Sequence, residues 1–194
     1  MIVTASQLIS ELEKDYSNPK CKLGRLVKEG KYIQIIRGLY ETDPDTEGYL
    51  LADSIYGPSY ISFEYALYHH GMMIWDERTC TSATCGKHRT KRYETPFGTF
   101  TYRDVPAAVF GLEVDLGGEG DYRYSIARPE KALCDYLYSL PPADNAASLK
   151  HMLFNRLGLD EFKVMALDAD TITELSEGYR CKNVNLMCRL MSHS

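Results

Sequence analysis

Lys20, Lys22, Arg25 and Lys28 fall within nine residues, and Arg37 follows nine positions later. Lys and Arg hold phosphates, and side chains projecting from a groove-bound helix read base edges. Lys22 and Arg25, at i and i+3, share a helix face. Gly24 beside them lets the backbone come close to phosphate. A solvated helix face is the bland alternative. A second cluster, Lys87-His88-Arg89-Thr90-Lys91-Arg92, places five chargeable side chains in six residues. Tyr93 and Tyr102 nearby offer rings for base stacking. This pattern points to a second nucleic-acid or acidic-partner contact, although Lys-rich segments also guard sheet edges against pairing.

Other chemistries find weaker support. Glu113 and Asp115 lie two apart, on one side of a strand, with Asp104 upstream. Such carboxylates hold magnesium in nucleases, but the lysine often found two residues on is absent. Cys80, Cys85 and His88 lack the spacing of a zinc ribbon or finger. Five residues apart on a strand, the two cysteines point to opposite faces. His70 continues the apolar stripe of Phe63, Ala66 and Leu67 and reads as a core residue. Cys181 and Cys188 share a helix face and read as packing. Lys131 and Asp135 make an i, i+4 helix pair, worth a few tenths of a kcal/mol when exposed. There is no G-x-S-x-G elbow, P-loop or Rossmann fingerprint. No catalytic residue, metal or cofactor is expected.

The basic residues need elements to present them. Leu23, Leu26 and Val27 fall at i, i+3 and i+4, so residues 20–29 read as a helix with its cations outward or flanking. Gly30 ends it. Residues 32–36 and 39–40 read as two strands joined at Arg37-Gly38. A first helix runs from a Thr4 or Ser6 cap to about Lys14, and Ser17-Asn18-Pro19 breaks it. An acidic segment, ETDPDTEG, marks a domain boundary, giving a module over 1–42 and a body over 43–194. Helices are expected over about 49–55 and 62–70, strands over 79–85, 98–103, 109–116 and 122–127. From Pro129 the chain turns helical, with segments near 145–157, 160–167, 170–178 and 181–191. The fold class is α+β: a winged-helix-like module, then a mixed α+β domain with a helical C-terminal tail.

The net charge of −5 over 194 residues argues against a protein that simply coats DNA. Its distribution matters more. Residues 1–40 carry seven Lys/Arg against four Asp/Glu, and residues 87–103 carry five against one. Residues 41–53 carry five acids and no base. Basic patches on an acidic body allow local nucleic-acid contact and limit promiscuous binding. The N-terminal stretch lacks the charged leader and apolar core of a secretory signal. No apolar run reaches membrane-spanning length. The expected setting is cytoplasmic, with six reduced cysteines.

Four segments together resemble the AbiEi family of antitoxins and transcriptional regulators, found in type IV toxin–antitoxin and abortive-infection systems. They are LVKEGKYIQIIRGLYET at 26–42, YLLADSIYGPSYISFEYALYHHGM at 49–72, TSATCGKHRTKRYETPFGTFTYRDVP at 81–106 and IARPEKALCDYLYSL at 126–140. The resemblance implies an N-terminal winged helix that binds inverted repeats in its own operator, with a homodimer as the matching symmetry. It implies a C-terminal antitoxin domain opposing a nucleotidyltransferase-type toxin without a stable complex. The family supplies no catalytic residues. A full winged helix has three helices, whereas two precede the wing here. Either Ser17-Asn18-Pro19 hides a short turn or the helix after the wing completes the module. The other readings are a metal-dependent nuclease using Asp104, Glu113 and Asp115, and a protein-interaction module docked through the N-terminal helix.

Overall fold

The computed structural model describes residues 1–192. The described residues are mixed α+β and form two sheets. The first is small and N-terminal. Strand β1 (Ile2–Thr4) leads into helix α1 (Ala5–Leu12), then α2 (Pro19–Lys28), β2 (Ile33–Ile36) and β3 (Leu39–Glu41). The strands lie in the order β1-β3-β2, all antiparallel.

Local chemistry sets these boundaries. Thr4 and Gln7 form a reciprocal capping box at the start of α1. Asn18 accepts the Cys21 N–H, and Pro19 occupies the first turn of α2, where its missing N–H costs nothing. At the far end Gly30 takes φ +75°. The N–H of Lys31 reaches the Leu26 carbonyl, and that of Gly30 reaches Val27, which is a Schellman closure. Residues 13–18 form turns and a bend, so no third helix is hidden there. The sequence pattern does not announce β1, which exists only through its pairing with β3.

The second sheet has six strands in the order β6-β7-β5-β4-β9-β8. These are β4 (Tyr60–Ile61), β5 (Thr79–Thr84), β6 (Lys91–Thr95), β7 (Gly98–Asp104), β8 (Val114–Gly117) and β9 (Tyr124–Ala127). β5–β7 and β4–β9 are parallel pairs, and the rest are antiparallel. The expected strand over 109–116 shrinks to β8, because residues 107–113 are turns, with Glu113 at φ +51°.

Alternation along β7 assigns the two faces. Tyr102 donates to the Ala52 carbonyl of the short helix α3 (Ala52–Ile55), which a 3-10 turn over Gly48–Leu51 precedes. Arg103, on the other face, pairs with Glu64 of α4 (Phe63–His69) and reaches Ser139 at the end of α5 (Pro129–Ser139). Beyond these come α6 (Ala146–Lys150), continued by a π-helical turn over His151–Arg156, then α7 (Glu161–Met165), α8 (Ala169–Tyr179) and α9 (Lys182–Ser192). Helices α8 and α9 pack on α5 and on each other. The main core runs through both faces and takes in Ile35 and Leu39 of the N-terminal hairpin. Among the described residues, no helix is long and apolar enough to cross a membrane.

Candidate nucleic-acid interface

Helix α2 buries Leu23 and Leu26 and turns its opposite face to solvent. Lys20, Arg25 and Lys28 are exposed, as is Arg37 in the link from β2 to β3. Gly38 beside Arg37 takes φ +87°, which closes that link. Lys22 differs from the others: it is half-buried at the flank, with its ammonium 5.0 Å from the centre of the Tyr16 ring. No ion pair among the described residues engages any of these five cations. Arg25 and Lys28 also lie in the last turn, where the helix dipole favours positive charge.

The second cluster is arranged otherwise. Lys87 donates to the Gly57 carbonyl at 3.1 Å, with its ammonium 5.1 Å from the Tyr56 ring centre. Arg89 Nε donates to the Tyr56 hydroxyl at 3.2 Å, and this contact raises the guanidinium pKa. His88 sits at φ +53°, its backbone N–H held by Asp104 at 2.6 Å. Lys91 and Arg92 lie on β6, an edge strand, and alternation sends them to opposite faces. Lys91 is half-buried on the side of Tyr93, while Arg92 pairs with Glu94 at 3.2 Å. The six residues therefore form no single continuous patch. Tyr93 is half-buried within a Tyr56–Tyr93–Tyr102 cluster, and Tyr102 is fully buried and closed to any base. β2 lies against β6, so the edge strands of the two sheets are neighbours.

The three carboxylates assigned to a metal nuclease do not converge. Asp104, at the end of β7, accepts from Thr84 and His88. Glu113 and Asp115 lie at β8, at the far end of the sheet with three strands between, and both are held by Arg128. Arg128 comes from the end of β9 and satisfies the pair as a fork. Among the described residues, no group of three or more His, Cys, Asp and Glu side chains is placed to hold a metal. His70, half-buried, donates Nε2–H to the Ala127 carbonyl at 2.8 Å. All six cysteines are free thiols.

The i, i+4 spacing understates one constellation. Lys131 and Asp135 are fully buried, not a surface pair. Lys131 Nζ donates to Asp135 at 2.7 Å and to the Tyr179 hydroxyl. Asp135 also accepts from Ser62 at 2.6 Å, from Tyr60 at 3.0 Å and from Tyr179. Ser62 thus spends its hydroxyl on Asp135 and makes no side-chain cap for α4. Burial pushes the Lys131 pKa down, against the pull of Asp135. Burial, together with the Asp135 charge, pushes the Tyr60 and Tyr179 hydroxyls well up. The network joins β4, α5 and α8, and it is closed to solvent.

A second buried acid ties the first sheet to the residues that follow it. Glu41, at the end of β3, accepts the N–H groups of Thr42 and Asp43 and the Tyr122 hydroxyl. The Met1 amino group also donates to it. Burial alone would raise its pKa, but these donors outweigh it and hold the carboxyl below its ordinary value.

No protein-family model matches the chain, and a search of the curated proteins gives no significant match.

Proposed function

We propose that this chain is a DNA-binding transcriptional regulator of the AbiEi type, whose N-terminal module is a reduced winged helix. The β1-α1-α2-β2-β3 order and the β1-β3-β2 sheet support the reading, because they place α2 immediately before a two-stranded wing. A winged helix uses this arrangement to lay one helix in the major groove with a hairpin beside it. The observation that carries the proposal is the set of cations without acidic partners among the described residues, Lys20, Lys22, Arg25, Lys28 and Arg37, on that helix and hairpin tip. The body over 43–194 is the proposed antitoxin domain, acting against a nucleotidyltransferase-type toxin without a stable complex. The cations of residues 87–92 are left out of the proposed interface, since most of them serve Tyr56, Gly57 and Glu94.

The test is fluorescence anisotropy on the duplex directly upstream of the coding sequence, across a salt series. The logarithm of the binding constant is expected to fall linearly with that of the salt concentration, by about 0.9 per neutralised phosphate. A protein-docking role for α2 predicts no such binding.

A further inference from the structure

Gly24 sits in the middle of α2, away from both caps. Glycine is the poorest helix former apart from proline, so a glycine there calls for a reason. Within this protein the usual reasons are absent. Its φ is not in the left-handed region, and beyond its chain neighbours and its own helix backbone a Cβ added to it would meet no atom of the described residues within 4 Å. Gly178 in α8 shows the contrast: a Cβ there would come within 2.4 Å of Val109 Cγ1. Packing explains Gly178 and leaves Gly24 unexplained.

The surroundings of Gly24 indicate what is missing. Lys20 and Lys28 lie one turn before and one turn after it on the same stripe, and Arg25 is adjacent. All are exposed, and none has an acidic partner among the described residues. A bare backbone saddle between two cations, about 12 Å apart along the axis, suits a ligand that carries repeated negative charge and lies close against the helix. An acidic side chain on a folded partner brings its own bulk and needs no such saddle.

We propose that Gly24 is the point of closest approach between α2 and a phosphodiester strand of duplex DNA, with Lys20 and Lys28 engaging the phosphates on either side. The proposal rests on the DNA-binding reading above and adds a residue that sets how deeply the helix seats.

The test compares wild type, Gly24→Ala and Gly24→Gln in the full chain. It measures thermal midpoint and binding to a duplex of roughly 30 base pairs, long enough for two half-sites a helical turn apart. Relieved of glycine, the Ala variant is expected to melt about 2–4 °C higher. It is also expected to bind the duplex about tenfold more weakly, and Gln more weakly still. The salt slope should stay near that of wild type, because no cation has been removed. A more stable Gly24→Ala variant with unchanged affinity would overturn the role of Gly24 and leave DNA binding standing. A lower midpoint would overturn it too, by revealing an internal need for glycine. Polyglutamate competing as well as unlabelled duplex would transfer the saddle to an acidic protein. Wild type without salt-dependent duplex binding would sink both proposals.

Discussion

The cations of α2 and those of residues 87–92 look alike in the sequence and differ in the fold. On α2, Lys20, Arg25 and Lys28 stand exposed, without acidic partners among the described residues. Around Tyr56, Lys87 and Arg89 clasp one ring and its hydroxyl, and Arg92 is matched by Glu94. The denser run is thus the more committed one. Charge density along a chain measures how many cations exist, whereas binding needs cations left over after the fold has used its share. Among the described residues no acid is within ion-pair reach of the α2 cations, while the 87–92 segment meets a tyrosine cluster and a strand edge. Lys131 is the extreme case, a cation consumed entirely by the interior.

The largest expected effect therefore lies at Lys131. Asp135→Ala leaves its ammonium buried and unpaired, and breaking such a pair costs roughly 3–5 kcal/mol. Urea denaturation should show that loss, while the double replacement Lys131→Met with Asp135→Leu should recover part of it. An Asp135→Ala protein as stable as wild type would mean the pair opens to water, blurring the line between internal and available cations.

Next in size is the contact of β3 with Tyr122. Glu41 has a folded-state pKa below its ordinary value of 4.5. A depressed carboxyl stabilises fully above the unfolded pKa and loses that contribution as the pH falls through the folded one. Acid should therefore loosen the N-terminal hairpin from Tyr122 below about pH 4.5. Glu41→Gln should flatten that part of the pH profile, read by hydrogen exchange at β3. An unaltered profile in the variant would show that Glu41 does not couple the two.

Much of this was legible locally. Pro19 and Gly30 bracket α2, Arg37-Gly38 marks the hairpin, and the spacing of Leu23 and Leu26 gives the buried face. What escaped depended on distant partners. β1 is three residues long and β4 two, and each is a strand only because another segment pairs with it. The Lys131–Asp135 spacing is that of an ordinary surface pair. Its burial follows from Tyr60, Ser62 and Tyr179, which lie 75, 73 and 44 residues from Asp135. Nothing within a helical turn of Tyr56 marks it as the anchor of Lys87 and Arg89. Local signals set elements and their faces; the fate of a charge is set by whatever those faces meet.

The comparison sharpens at α2 itself. Lys22→Ala combined with Arg25→Ala should weaken duplex binding and reduce the salt slope by about one for each phosphate no longer neutralised. The thermal midpoint should move little, since neither cation is paired with an acid among the described residues, although Lys22 gives up its place over the Tyr16 ring. Single variants separate the two: Arg25, fully outward, should account for more of the slope than Lys22 at the flank. Equal slopes for wild type and a folded double variant would remove α2 from the interface.

The smallest effect on binding is expected from Lys87→Ala with Arg89→Ala, and that near-silence is informative. Both side chains are engaged by Tyr56 and Gly57, so their removal frees a ring and a carbonyl and leaves no acid unpaired. A cation–π contact near the surface is a modest one, and the midpoint should fall by no more than about 2–4 °C. Duplex affinity and its salt slope should match wild type. A slope reduced as much as in the α2 double variant would mean that DNA draws Lys87 and Arg89 away from Tyr56. The interface would then extend across the β2–β6 seam, and counting only unpaired cations would have understated it. Tyrosine fluorescence separates the cases, because stripping the cations from Tyr56 alters its emission in the free protein, whereas competition by DNA alters it only on binding.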